Sequence, residues 1–132
     1  MNKIKIFYDG VNINEYGNHP LVKGFTTNPT LINRGNIQSK LYGDFAKNFL
    51  KETHNLPVSF EVFADDFDEM IEQAKIISSW GDNIYVKIPV INTKGESTSR
   101  VINTLNKLGI KINVTAIFTE KQVLSVINAI EN

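Results

Sequence analysis

Lys87 is the residue whose type and position most directly suggest chemistry. It lies between Val86 and Ile88 in an apolar, strand-forming run. An ammonium group there must face something polar, because an unpaired charge buried in an apolar layer is strongly unfavourable. Burial favours the neutral amine, which is the form that attacks a carbonyl carbon to give an imine. A lysine that pairs with a strand-end carboxylate only to fix the core, or that extends its ammonium outward to solvent, explains the same pattern equally well.

Two carboxylates could move protons beside such an imine. Asp9 follows the run Ile4–Tyr8 and precedes Gly10. It could donate and accept a proton, but taken alone it fits better as a turn aspartate that hydrogen-bonds its own backbone. Glu61 follows Val58–Phe60 in a largely apolar strand. Because such a strand rarely turns a carboxylate inward without a partner or a task, we favour a functional role for Glu61.

Strand-forming runs separated by longer helical stretches position these residues. The predicted strands are Ile4–Tyr8, Leu21–Thr27, Val58–Val62, Ile84–Ile88 and Lys111–Thr115. The predicted helices are Ser39–Glu52, a helix capped by Asp65 or Asp66 that carries Trp80 at its end, Ser97–Leu108 closed by Gly109, and Glu120–Ile130. Parallel strands need crossovers of this length, so the pattern predicts an α/β fold with a parallel sheet. No linker divides the chain, and we expect residues 1–132 to form one domain.

The first and last of these helices each have apolar residues at the spacing of one buried face. In the first helix they are Leu41, Phe45, Phe49 and Leu50, and in the last helix Val123, Val126, Ile127 and Ile130. Such faces are expected to pack on the sheet.

Four further polar residues fall at or near the carboxyl ends of predicted strands. Thr26 and Asn28 close the second strand, and Asn113 and Thr115 close the fifth. Each alone could equally be a strand-tolerant or helix-capping residue. In α/β folds, however, ligands bind outside the carboxyl ends of the strands, and residues two apart on a strand face the same way. Together with Asp9, Glu61 and Lys87, they predict a site on one rim of the sheet.

Composition narrows the classes of function. The 14 basic residues balance the 14 acidic ones, so no broad field favours nucleic acid or a membrane surface, and we expect small-molecule partners. The absence of cysteine excludes disulfides, thiolate metal sites and thiol nucleophiles. His19 and His54 lack metal-ligand spacing, so no metal site is expected, and no phosphate-binding glycine motif is present. Without a signal-like or membrane-spanning stretch, the expected setting is the cytoplasm.

Four segments of the chain resemble, in order and spacing, the signature segments of transaldolases and the small fructose-6-phosphate aldolases. They are Phe7–Asp9, Gly24–Leu31, Val86–Pro89 and Asn113–Phe118. The resemblance spans essentially the whole chain, and Thr-Thr-Asn-Pro with Val-Lys-Ile-Pro at this separation is a fairly specific pair. It implies a (β/α) barrel of the TIM type and a class I aldolase that needs no cofactor, because a protonated imine is itself an electron sink.

The resemblance also implies roles for the rim residues. Lys87 matches the lysine that forms the Schiff base with the C2 carbonyl of a ketose phosphate. Asp9 matches the residue that handles the proton of the C4 hydroxyl as the C3–C4 bond breaks. Glu61 and Thr115 match the pair that holds a catalytic water. The small aldolases more often carry glutamine at the place of Glu61, so this residue favours transfer to an aldehyde acceptor, as in transaldolase proper.

Three further residues are implied in binding. Asn28 and Asn113 match residues that hydrogen-bond the dihydroxyacetone unit, and Thr26 is expected to line the same pocket. Transfer of that unit within carbohydrate metabolism, in the pentose phosphate pathway, is the expected reaction. The alternatives are a fructose-6-phosphate aldolase-type lyase and a non-catalytic half-barrel that binds a sugar phosphate.

The chain also departs from the family pattern. Gly10-Val11 stands where Thr-Ala or similar is usual, and Asn12–Val22 is short and broken where a longer helix is expected. A complete barrel has eight βα units in about 250 residues, whereas five units are visible here. The serine and arginine that bind the phosphate in the family belong to the missing half. Exposed sheet edges need a cover, so a homo-oligomer or a complementary chain is expected. The alternative fold is a five-stranded flavodoxin-like domain, which requires the first strand to lie inside the sheet.

Overall fold

The computed structural model describes residues 4–16, 19–35 and 41–131. Their strands are β1 (Ile6–Asp9), β2 (Val22–Thr26), β3 (Val58–Glu61), β4 (Ile84–Pro89) and β5 (Ile112–Thr115). Their helices are α1 (Ile13–Tyr16), α2 (Pro29–Arg34), α3 (Tyr42–Glu52), α4 (Phe67–Ser78), α5 (Ser99–Lys107) and α6 (Glu120–Glu131). All five predicted strands are therefore present, and their ends lie within two residues of the predicted ones. The first two residues of the predicted helix Ser39–Glu52 lie outside the described residues.

The strands form one parallel sheet in the order β1-β2-β3-β4-β5. Strands that follow one another in the chain are therefore neighbours in the sheet, which is the connectivity of a (β/α) barrel. The flavodoxin-like alternative is wrong, because β1 lies at the edge of the sheet and not inside it. The five strands are a partial barrel of the TIM type, as the sequence predicts. Among the described helices, none is both long and apolar enough to cross a membrane.

Strand β4 shows how the sequence separates the two faces of the sheet. Ile84, Val86 and Ile88 are buried, whereas Tyr85 and Lys87 are half-buried. Successive side chains on a strand point to opposite faces. The buried set packs in the main hydrophobic core, and Lys87 lies on the opposite, concave face. That face is the interior of the partial barrel.

The predicted apolar faces of two helices are only partly correct. In α3 the buried residues are Tyr42, Ala46 and Phe49, whereas Leu41 precedes the helix and is 46 % exposed. Phe45 and Leu50 are partly buried against the core, as predicted. Tyr42 takes the place expected for Leu41, and its ring packs edge-on against Phe60 at a centroid distance of 5.9 Å. Aromatic pairs of this geometry add stabilisation beyond the area that they bury.

The buried face of α6 also differs from the predicted one, but for another reason. Val126 and Ala129 are buried, but Val123, Ile127 and Ile130 are between 42 % and 46 % exposed. In the part of the chain that the structure describes, α6 contacts α5, and the remainder of its predicted face is left open to solvent. A contiguous apolar strip on a helix is typical of a surface that another element covers.

Candidate active site

Lys87 is held between two oxygen acceptors on the concave face. Its Nζ donates a hydrogen bond to the backbone carbonyl of Thr27 at 3.1 Å. It also forms an ion pair with Glu61, whose Oε2 lies 3.7 Å away. The side chains of Lys87 and Glu61 are only 11 % and 16 % exposed. The geometry rules out a lysine that extends to solvent and leaves a core-fixing pair and a reactive amine as the two interpretations.

Glu61 carries an unusual electrostatic balance. Burial raises its pKa above the ordinary glutamate value, Lys87 partly offsets this, and the charge of Asp9 adds to the increase. A carboxyl group with a raised pKa exchanges its proton closer to neutral pH, where general acid and base catalysis is most effective. A raised pKa of this kind is what a proton-carrying carboxyl group requires.

Asp9 is oriented by the neighbouring strand. Its Oδ1 accepts a hydrogen bond of 2.7 Å from Thr26 Oγ1, and the two residues are register partners of β1 and β2. A turn aspartate would hydrogen-bond its own backbone. The hydrogen bond of Asp9 instead runs across the strands to Thr26. Thr26 therefore fixes the direction in which the carboxylate of Asp9 points.

Five of the seven predicted site residues line one cavity at the carboxyl ends of the strands. The cavity has a volume of about 550 Å³. Its predicted lining residues are Asp9, Asn28, Glu61, Lys87 and Thr115, and its additional ones are Pro29, Thr30, Leu31 and Ala116. This volume suits a small metabolite. The rim that the strand ends predict is thus a real concavity with one amine and two carboxylates.

The other two predicted residues, Thr26 and Asn113, line a second cavity of about 540 Å³ on the same concave face. Asn113 Nδ2 donates to Ser59 Oγ at 3.0 Å. Asn113 is also the register partner of Lys87 across β4 and β5, so this row of the sheet carries one lining residue of each cavity. The position of Asn113 beside Lys87 fits the predicted pocket, although its amide group donates its hydrogen bond to Ser59.

Asn28 has a structural task in addition to its place in the cavity. It is the N-cap of α2, and its Oδ1 accepts a hydrogen bond of 2.9 Å from the backbone N–H of Leu31. Pro29 follows as the first helical residue, where its missing N–H is harmless. The capping interpretation of Asn28 is therefore correct, and a bound ligand could still use its Nδ2 donors and the second lone pair of Oδ1.

Ala116 is a site residue that the sequence did not reveal. It follows Thr115 into the cavity wall and has a φ of 60°. Left-handed backbone is unfavourable for residues with a Cβ, and such positions cluster at functional sites. No sequence signal pointed to it, because glycine and asparagine are the usual residues for this geometry.

The backbone at Ala116 leads to a stability prediction. Ala116→Val is expected to lower the free energy of unfolding by about 1–2 kcal/mol, because a β-branched side chain tolerates left-handed backbone poorly. Ala116→Gly is the matched control and should stay within about 0.5 kcal/mol of the parent chain, since relief of strain and added unfolded-state entropy oppose each other. Urea unfolding curves measure both. Equal midpoints for the two variants would contradict the left-handed geometry.

Within residues 4–16, 19–35 and 41–131, no group of three or more histidine, aspartate or glutamate side chains is arranged to hold a metal ion.

The fold and the site together define a class of protein. It is a (β/α) barrel protein in which a largely buried lysine lies at the strand ends between a carboxylate and a backbone carbonyl. Residues 6–132 match the family model described as transaldolase/fructose-6-phosphate aldolase. The chain therefore belongs to the transaldolase/fructose-6-phosphate aldolase family.

Individual relatives agree with this assignment. A probable transaldolase of Thermoplasma acidophilum is 40 % identical over 124 residues, which cover 92 % of this chain and 53 % of that protein. A probable transaldolase of Streptococcus pyogenes serotype M5 (strain Manfredo) is 40 % identical over 135 residues, which cover 96 % of this chain and 56 % of that protein. The chain thus spans about half the length of the curated relatives it matches.

Proposed function

We propose that this chain carries the Schiff-base chemistry of a transaldolase-type reaction on a ketose phosphate. The observation that carries the proposal is the place of Lys87: a largely buried amine on the barrel interior, 3.7 Å from Glu61, in a cavity shared with Asp9 and Thr115. Family membership supplies the reaction class. A core-fixing ion pair alone would not require a second carboxylate and an open cavity at the same strand ends.

The proposed reaction begins at Lys87. Its neutral amine adds to the C2 carbonyl of the ketose, and loss of water gives the protonated imine. Glu61 and Thr115 hold the water molecule that carries protons during this step. The raised pKa of Glu61 brings its carboxyl group closer to the pH range in which a proton can be both accepted and returned.

Cleavage of the C3–C4 bond follows. Asp9 takes the proton of the C4 hydroxyl, the electron pair of the C3–C4 bond moves into the imine, and the aldehyde leaves. The three-carbon enamine that remains on Lys87 then adds to an acceptor aldehyde, and hydrolysis frees the amine. Asn28, Asn113 and Thr26 would hold the dihydroxyacetone unit, with Thr26 also orienting Asp9 through their 2.7 Å hydrogen bond.

Covering of the open barrel edges is part of the proposal. The free edges of β1 and β5 and the exposed apolar strip of α6 are where a second chain or a further segment would pack. The same partner would bring the groups that bind the substrate phosphate, because the only cation among the described lining residues of the main cavity is Lys87, which is already paired.

Borohydride trapping tests the proposal. Fructose 6-phosphate is added to the chain, borohydride reduces any imine, and the intact mass is measured. We expect a stable adduct that is absent when either reagent is omitted. An unchanged mass overturns the Schiff-base proposal and leaves the non-catalytic sugar-phosphate-binding half-barrel, which saturable binding of the same sugar without an adduct would support.

The pKa of Glu61 leads to a pH prediction. A raised pKa means that the carboxylate form of Glu61 appears only above the ordinary glutamate range. If this form carries protons during imine formation, the rate of trapping by cyanoborohydride rises with pH through that raised value. In Glu61→Gln the chain should still be trapped, but this rise of the trapping rate with pH should be absent. Glu69→Gln, on the exposed first turn of α4, is the control and should keep the rise.

A further inference from the structure

Tyr42 connects the two segments that hold the amine of Lys87. It is the first residue of α3, and it is only 7 % exposed. Its hydroxyl donates a hydrogen bond of 3.1 Å to the backbone carbonyl of Glu61 and also interacts with the side chain of Thr27. The carbonyl of Thr27 is the acceptor of the Lys87 hydrogen bond. One phenol therefore contacts both residues between which the ammonium lies.

Among the described residues, the pairing of β2 with β3 is a short ladder whose last bonds reach Ser59. Strands β2 and β3 pair at Phe25 with Val58 and at Thr26 with Ser59. Beyond these pairs, the backbone N–H and the Oγ1 of Thr27 both donate to the carbonyl of Ser59, at 3.0 and 3.1 Å. Within the described residues, two side chains reach past Ser59 and link Thr27 to Glu61: Tyr42 through its hydroxyl and Lys87 through its amine. The hydroxyl of Tyr42 approaches from α3 and closes the gap between β2 and β3 at the level of Lys87.

The ring of Tyr42 is positioned independently of its hydroxyl. It makes edge-on contacts with Phe63 and Trp80 at centroid distances of 4.8 and 5.2 Å, in addition to its contact with Phe60. Burial raises the pKa of Tyr42 well above the ordinary tyrosine value, so the phenol stays a neutral donor. A phenylalanine at this position would keep the packing and lose only the hydrogen bond.

We propose that Tyr42 is a positioning residue whose hydroxyl sets the separation between the carbonyl of Thr27 and the carboxylate of Glu61, and thereby the place of the Lys87 amine. The catalytic meaning of this inference rests on the proposed Schiff-base function, whereas the geometry itself does not. Loss of the hydroxyl lets the end of β3 move away from Thr27, which admits water to Glu61 and loosens the ion pair with Lys87.

The titration of Glu61 reports this separation. The groups that face Glu61 are Lys87 from β4, Asp9 from β1 and the phenol of Tyr42 from α3. Burial is the largest cause of its raised pKa, so added water should move the titration midpoint to lower pH. A contact that served only the stability of the core would leave the midpoint where it is.

The test compares Tyr42→Phe with Thr53→Val. Thr53 is a buried residue at the end of the same helix, and its Oγ1 donates to the carbonyl of Leu50 at 2.8 Å. The control thus removes one buried hydroxyl-to-carbonyl bond from α3 away from the cavity. Two quantities are measured: the ¹³C NMR titration of the glutamate carboxyls, with Glu61 assigned through Glu61→Gln, and the rate of cyanoborohydride trapping with fructose 6-phosphate.

In Tyr42→Phe we expect a lower midpoint for Glu61 and trapping slower by about fivefold, the effect of one ordinary hydrogen bond, at an unchanged half-saturating sugar concentration. Thr53→Val should match the parent chain in both. An unchanged midpoint in Tyr42→Phe overturns the proposal, and so does loss of the folded circular dichroism spectrum in Tyr42→Phe alone, which would assign the hydroxyl to the core. A shifted midpoint without any adduct, even in the parent chain, defeats the proposed function but leaves the positioning role intact.

Discussion

Replacement of Lys87 by arginine is expected to abolish covalent capture of a ketose phosphate while the fold is retained. A guanidinium stays protonated and cannot form an imine, yet its charge can still pair with Glu61 and donate to the carbonyl of Thr27. Trapping with borohydride and fructose 6-phosphate should fall below about a thousandth of the parent rate, as is typical when a covalent nucleophile is removed. Intact-mass spectrometry of the reduced chain measures the loss.

The matched control is Lys107→Arg, which changes an exposed lysine in the last turn of α5. It should give the parent amount of adduct. Circular dichroism of Lys87→Arg confirms that the chain is folded. An adduct that persists in folded Lys87→Arg would show that the trapped amine is another one.

Replacement of Asp9 by asparagine is expected to separate imine formation from bond cleavage. The amide oxygen of asparagine can still accept the hydrogen bond from Thr26 Oγ1, but the side chain cannot take the proton of the C4 hydroxyl. Loss of one general base typically costs about 10²–10⁴-fold in rate. Reduction of the reaction mixture should therefore trap the intact hexose phosphate on the chain in place of the three-carbon unit.

The mass of the adduct distinguishes these outcomes directly. The parent chain should show the three-carbon adduct, and Asp9→Asn the six-carbon phosphate adduct. Asp82→Asn, at an exposed turn before β4, is the control and should behave as the parent. A three-carbon adduct formed at the parent rate in Asp9→Asn would remove Asp9 from the cleavage step.

The strands and their polar ends could be predicted from sequence because their signals are local. Alternation of apolar residues defines β4, and the carboxyl ends of parallel strands meet on one side of any barrel. The sequence offered Asp65 or Asp66 as the cap of α4, and the structure selects Asp66, which accepts hydrogen bonds from the backbone N–H groups of Asp68 and Glu69. Short-range rules suffice where the interactions are themselves short-range.

The contacts between elements could not be predicted in the same way. Tyr42 is buried because three aromatic rings from distant parts of the chain surround it, and helical spacing alone favoured Leu41. Ligand binding by Asn28 and Asn113 stays a prediction, but their contacts within the protein, a helix cap and a bond to Ser59, were not predictable individually. These pairings depend on the register of neighbouring strands and on side-chain rotation, which a single sequence does not encode in any periodic pattern.

The exposed face of α6 has a different origin. Its apolar spacing indicates a helix built for burial, but among the described residues Val123, Ile127 and Ile130 are exposed. Relatives that are nearly twice as long as this chain have the length for further βα units. A second chain or a further segment, as proposed above, would cover this strip.

Peptide mapping of the borohydride-reduced adduct tests the central claim most directly, because it places the trapped carbon on one amine. The chain is treated with fructose 6-phosphate and borohydride, digested, and sequenced by tandem mass spectrometry. We predict modification at Lys87 alone, saturable with sugar concentration. Modification spread over exposed lysines such as Lys94 and Lys107, with Lys87 unmodified, would contradict a Schiff base at this site.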